Sequence, residues 1–159
     1  MQMSHTALIV IDMQEDYVGK RSRNNCYSAE FIDKVNERIE IAAKQNETII
    51  YVRNTGRRQK KPYVSPLVTE LKVVSDFLID KETASAFCND NIRAILKERQ
   101  VHKIEVIGID GNACVAASAM DASKLGYEVV FPLEYIGIKN MERFDITREK
   151  LIEARVEVI

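Results

Sequence analysis

The chain reads as an α/β protein built on a central, mainly parallel sheet of about six strands with helices on both faces. Two observations predict this. Strand-like and helix-like segments alternate from end to end, the pattern of βαβ units. The first strand-like run, Ala7-Leu8-Ile9-Val10-Ile11, is apolar at every position, as a central strand covered on both faces must be.

Each element follows from its own pattern. Residues 29–45 place Phe31, Ile32, Val35, Ile39 and Ala42-Ala43 at helical spacing with charges between. Thr48-Ile49-Ile50-Tyr51-Val52 is a second strand and residues 76–79 a short third one. A helix over 89–99 carries Ile92, Ile95 and Leu96 on one stripe. Residues 104–109 form a fourth strand, and 113–125 a helix rich in small residues that Gly126 stops. Residues 128–131 are a fifth strand, 145–154 a last helix and 156–159 a closing strand. Residues 54–66, with Gly56, Pro62, Pro66 and four Lys or Arg residues, read as a solvated loop; a lid over a pocket is the alternative.

At 159 residues the chain fits one domain spanning 1–159. A hydrophobic share of 46% argues against extended disorder. The net charge of −1 gives no electrostatic reason to expect nucleic acid or an anionic membrane as partner. No apolar run is long enough to span a bilayer. The opening Met1-Gln2-Met3-Ser4-His5 lacks the basic and apolar regions of a signal peptide. Three widely spaced cysteines do not make a disulfide framework. Together these predict a cytoplasmic, reduced protein.

In an open parallel sheet, ligands collect at the carboxyl ends of the strands. Three reactive residues fall there: Asp12 after the first strand, Lys81 after the third and Cys114 just past the fourth. Cys114 falls in the first turn of a helix, where free N–H groups and partial positive charge favour a thiolate. Asp12 is placed to accept the thiol proton and Lys81 to supply a positive field. Taken singly, each has a bland reading: a small buried thiol, a turn aspartate, a solvated lysine.

Three separated motifs carry a resemblance. Ala7-Leu8-Ile9-Val10-Ile11-Asp12-Met13-Gln14-Glu15-Asp16-Tyr17 resembles the opening of the isochorismatase-like cysteine hydrolases, where the first strand ends in D-x-Q-x-D-F. Lys81-Glu82-Thr83-Ala84-Ser85-Ala86-Phe87 is similar to that family's lysine segment. Gly108-Ile109-Asp110-Gly111-Asn112-Ala113-Cys114-Val115 resembles its G-x-x-T-x-x-C-V loop except that Gly111 stands for the usual Thr. Ala119-Met120-Asp121-Ala122 and Gly126-Tyr127-Glu128-Val129 continue the likeness over almost the whole chain.

The resemblance implies a Rossmann-like, three-layer α/β/α fold and a catalytic triad of Cys114, Asp12 and Lys81. It also implies a cis peptide between Ile109 and Asp110, aiming the Asp110 N–H, with that of Cys114, at a developing oxyanion. The implied activity is cleavage of an amide or carbamoyl C–N bond in a small molecule through a thioacyl-enzyme, without a cofactor. Nicotinamidases of the family bind a metal through an Asp and two His between the second and third strands. Residues 53–80 contain no His, and His5 and His102, the only two in the chain, read as surface or structural residues, so no metal is expected. Isochorismatases proper lack the nucleophilic cysteine, so Cys114 argues against that activity. Gly111 is expected to loosen the nucleophile loop.

Phe87 faces the substrate by analogy, with core packing as the alternative. Tyr17, Arg53 and Asn54 lie just past strand ends and are candidates for substrate contact, with turn or surface roles open beside them. Cys26 reads as loop and Cys88 as helix-start packing. Family members commonly form dimers or tetramers, so a homo-oligomer is expected. A catalytically silent binding module on the same scaffold is the second reading, and a flavodoxin-like nucleotide binder is disfavoured by the acidic Asp12–Asp16 turn. A low thiol pKa and preferential alkylation of Cys114 over Cys26 and Cys88 would favour the enzyme.

Overall fold

The chain runs β1 (Thr6–Ile11), α1 (Ala29–Lys44), β2 (Thr48–Asn54), β3 (Gly56–Arg58), β4 (Lys61–Tyr63), β5 (Leu78–Lys81), α2 (Asp90–Glu98), β6 (Lys103–Ile109), α3 (Cys114–Lys124), β7 (Glu128–Phe131), β8 (Ile136–Gly137), α4 (Met141–Glu153) and β9 (Glu157–Val158). This computed structural model describes residues 4–20, 22 and 26–159, so the expectation resting on Met1 to Met3 lies outside the described residues.

Among the described residues, seven strands form one sheet in the order β5-β2-β1-β6-β7-β9, with β8 alongside β6. Every pairing in it is parallel. The expected mainly parallel sheet is therefore what forms. Successive strands extend the sheet one way from β1 through β2 to β5, and the other way from β6 through β7 to β9. The reversal lies between β1 and β6, where a crevice opens at the carboxyl ends of the strands.

Strand periodicity fixes what covers each face. Ala7, Ile9 and Ile11 of β1 pack with Ile92 and Leu96 of α2, Val115 and Ala119 of α3, and Phe144 and Leu151 of α4. Leu8 and Val10 point the other way, onto Ile32, Val35 and Ile39 of α1. Each such Leu, Ile or Val removed from water contributes roughly 1.5–3 kcal/mol before chain entropy is subtracted. No helix among the described residues is long and apolar enough to cross a membrane.

Several boundaries differ from the sequence-based expectation, each for an identifiable reason. The third parallel strand is Leu78–Lys81 rather than 76–79, because pairing with β2 aligns Tyr51 with Leu78 and Asn54 with Lys81. The loop over 54–66 contains a hairpin, β3–β4, whose turn residues Gln59 and Lys60 both have positive φ. The last helix begins at Met141 rather than 145, since the Asn140 side chain accepts a hydrogen bond from the Arg143 N–H. The short β8 and a 3₁₀ turn over Ala86–Cys88 were not expected.

One close approach sets the crevice. Gly108 of β6 lies opposite Ile11 of β1, with φ of +113°. A Cβ there would stand 2.1 Å from the Ile11 carbonyl oxygen, so only glycine lets the two strand ends close up. Gly108→Ala is expected to lower stability by on the order of 3 kcal/mol or more, read as a reduced urea midpoint.

Candidate active site

Asp12 is the first residue past β1. Its N–H donates to the Val52 carbonyl at 2.9 Å, and the backbone then turns through φ of 56°. An aspartate tolerates that left-handed conformation better than most residues. Lys81 closes β5, where strand alternation exposes Leu78 and Asp80 and buries Ile79 and Lys81. Cys114 opens α3 and is half-buried.

These three side chains meet. The Lys81 ammonium, 1% exposed, lies 3.2 Å from Asp12 Oδ2 and donates to Cys114 Sγ at 3.3 Å and to Asn54 Oδ1 at 3.1 Å. Burying an ammonium costs several kcal/mol, which these contacts must offset. Asn54 in turn donates through Nδ2 to the Tyr17 hydroxyl at 3.2 Å. Asp12 Oδ1 is buried and makes no hydrogen bond among the described residues, leaving an acceptor position open.

Burial raises the Asp12 carboxyl above its ordinary value, against the pull of Lys81. Burial and the Asp12 carboxylate together push the Cys114 thiol up to about 11, outweighing Lys81. The helix start therefore does not produce a free thiolate in the unliganded site. The arrangement instead holds a neutral thiol beside a carboxylate and an ammonium.

Gln14, fully buried, was not singled out from the sequence. Its Oε1 accepts from the Asn54 N–H at 2.6 Å, and its Nε2 donates to the carbonyls of Asn54 and Ser65 at 3.1 and 3.0 Å. Asn54, a partner of Lys81, is thus clamped by a residue just past the end of β1.

The nucleophile loop is tied at several points. The Ile109–Asp110 peptide is cis. The Asp110 carboxylate accepts from the Tyr27 hydroxyl at 2.7 Å, the Asn112 N–H at 2.8 Å and the Lys139 N–H at 2.9 Å. Burial and Asp110 raise the Tyr27 hydroxyl well above its ordinary range, so it stays a donor. Asn112 accepts from Thr147 Oγ1 at 2.7 Å and donates to the Asn140 carbonyl at 2.9 Å. Gly111 donates to the Gly137 carbonyl at 2.9 Å, and a Cβ on it would lie 2.6 Å from Ile138 Cγ1. Ile138 fills the space that a threonine side chain at this position would take.

A cavity of about 170 Å³ opens over Cys114, walled by Asp12, Asn54, Tyr17, Tyr27, Asp110 and Lys139. Tyr17 and Asn54 thus stand where the sequence suggested. Arg53 and Phe87 do not reach it. Arg53 is held in a two-point ion pair with Asp80, at 2.7 and 2.9 Å. Phe87 belongs to the apolar core and packs against the Tyr127 ring. Tyr27 and Lys139 went unnoticed in the sequence, since each lies in an irregular segment with no motif to mark it. A wider groove of about 880 Å³ runs along α2 past Gln100 and Tyr127, but no ionisable group on its walls is buried.

The histidines sit away from this cavity. His5 and His102 face each other at 5.3 Å near the amino ends of β1 and β6. Between β2 and β5 the strand ends carry the Arg53–Asp80 pair and no histidine, a donor set that does not fit a zinc ion.

A model of the isochorismatase domain matches residues 6–138. The chain belongs to the isochorismatase family. An uncharacterized isochorismatase family protein of Bacillus subtilis, YaaI, is 26% identical over 155 residues, covering 89% of this chain and 86% of that protein. Among solved structures, the pyrazinamidase of Pyrococcus horikoshii in complex with zinc superposes with a TM-score of 0.82 at 22% identity. That match covers 98% of this chain and 99% of the other. The N-carbamoylsarcosine amidase of Thermoplasma acidophilum gives 0.80 at 20% identity, over 96% and 94% of the two chains. At these identities the structural likenesses establish the isochorismatase-like fold alone.

Cys88 presents the opposite electrostatics to Cys114. It is exposed, and although burial works against its charged form, hydrogen bonds from Thr83 and Glu82 bring its thiol below the usual value. The low thiol pKa that would favour preferential alkylation of Cys114 is therefore not what its surroundings give, because burial and Asp12 keep its proton on sulfur. In the unliganded protein at pH 8, iodoacetamide is expected to label Cys88 before Cys114, as followed by peptide mass spectrometry.

Proposed function

We propose that the protein is a cysteine hydrolase that cleaves an amide or carbamoyl C–N bond of a small molecule. The observation that carries this reading is the buried Lys81 ammonium, in contact with both Asp12 and Cys114, two residues that line the cavity. The fold shared with an amidase and a pyrazinamidase supports the reaction class.

The steps follow from the side chains. Asp12 takes the thiol proton as Cys114 Sγ bonds to the substrate carbonyl carbon, so no free thiolate need exist beforehand. The N–H groups of Asp110 and Cys114 hold the oxyanion; that of Cys114, first in its helix, has no intrahelical partner. Lys81 compensates negative charge while the proton is in transit. Asp12 returns the proton to the leaving nitrogen as the C–N bond breaks, giving a thioester. Water, deprotonated by Asp12, then attacks the thioester, the S–C bond breaks and the thiol recovers its proton. The cavity volume, well under the roughly 300–1,000 Å³ of sites for drug-sized ligands, favours a small substrate.

A screen of small amides and carbamoyl compounds should reveal turnover. Cys114→Ala is expected to lower it by at least about a thousandfold while leaving the circular dichroism spectrum unchanged. An active Cys114→Ala protein would overturn the reading.

The pH profile should be bell-shaped. On the acid side kcat/KM falls as Asp12 takes up a proton, with a midpoint above the ordinary carboxyl value of 3.8 because burial raises it. On the alkaline side it falls near 11, where the thiol loses its proton and Asp12 has none to pass to the leaving group. An acid midpoint below 3.8 would contradict the role given to Asp12.

A further inference from the structure

Lys139 is the cation in the cavity wall that the reaction leaves unused. Its backbone N–H donates to Asp110 Oδ2 at 2.9 Å, fixing the main chain beside the nucleophile loop. Its ammonium lies 5.7 Å from the centre of the Tyr27 ring, whose hydroxyl bonds the same Asp110 carboxylate. Among the described residues no carboxylate forms an ion pair with Lys139, whereas Lys81, buried behind the cavity wall, is tied to Asp12. The Asp110 carboxylate, which accepts the Lys139 backbone N–H, is occupied by that donor, the Tyr27 hydroxyl and the Asn112 N–H.

The mouth of the site is also basic. The β3–β4 hairpin follows directly on Asn54 and carries Arg57, Arg58, Lys60 and Lys61. It comes close to Tyr17, since a Cβ on Gly56 would stand 3.6 Å from the Tyr17 hydroxyl. Asp16, 3.9 Å from Arg58, is the acid paired with it there. A cation in the cavity wall with no ion-pair partner among the described residues, and a basic hairpin beside Tyr17 of the same wall, favour a negatively charged guest.

We propose that Lys139 is a specificity-determining residue that binds a carboxylate on the substrate, so that the protein acts on small anionic amides. This rests on the hydrolase reading for the reaction, though not for the binding. The reactive carbonyl sits over Cys114 and the carboxylate lies toward Lys139, with the Tyr27 ring beneath the ammonium. A charge-assisted hydrogen bond at a partly exposed site is expected to favour the anion about tenfold.

The test uses succinamate and its neutral isostere 4-methylpentanamide. Calorimetric titration into the full Cys114→Ala chain reads binding without turnover. Succinamate should bind about tenfold more tightly, the preference should vanish in Cys114→Ala/Lys139→Met, and it should return with Lys139→Arg. Parity in Cys114→Ala, no binding of succinamate, or a preference that survives Lys139→Met would each overturn the proposal. Turnover by the unmutated chain is measured alongside. Selective binding of succinamate without turnover would uphold the anion site and count against the hydrolase reading. Hydrolysis of both amides at equal kcat/KM would do the reverse.

Discussion

The site depends on a lysine ammonium held out of water. Lys81 ends an edge strand whose alternation sends it inward, and there it finds Asp12, Asn54 and Cys114. An ammonium so placed tolerates no loss of partners, because removing one member of a buried pair costs about 3–5 kcal/mol. The three strand ends that supply those partners are therefore held in register by electrostatics as well as by the sheet. Gly108 makes this geometrically feasible by letting β1 and β6 approach at their carboxyl ends.

Around that cation the protein distributes protons with economy. Asp12 and Cys114 both shift upward through burial, so the resting state favours a proton on sulfur and a charge pair beside it. A thiol kept neutral until a carbonyl arrives is shielded from stray electrophiles. Cys88, near the surface, has its thiol shifted the other way, where the neighbouring donors are backbone N–H groups and a hydroxyl. What separates the two sulfurs is their surroundings.

Much of this was legible in the sequence. The unbroken apolar run of residues 7–11 announced a central strand, and Asp12, Lys81 and Cys114 fell at strand ends in a pattern that topology alone brings together. Other features left weaker traces. The β3–β4 turn carries Gln59-Lys60 at two positions of positive φ, where Asn-Gly is the usual signal, so the hairpin read as a charged loop. The sequence pattern places the start of α4 too late because the apolar spacing just after Asn140 is sparse. Arg53 looked free at a strand end because its partner Asp80 comes from a strand that is adjacent only after folding. Tyr27 and Lys139 join the cavity from irregular segments on opposite sides of the nucleophile loop, which no periodicity could have linked.

Gln14 ties this chemistry to the outside of the molecule. One amide holds the main chain at Asn54 from both sides and grips Ser65, so the two ends of the 55–64 excursion are pinned by a single side chain in β1's wake. The excursion is thus a cassette: its interior can change length and charge while its anchor points stay where the Lys81 ammonium needs them. Selection for a new substrate can act on the rim without disturbing the floor.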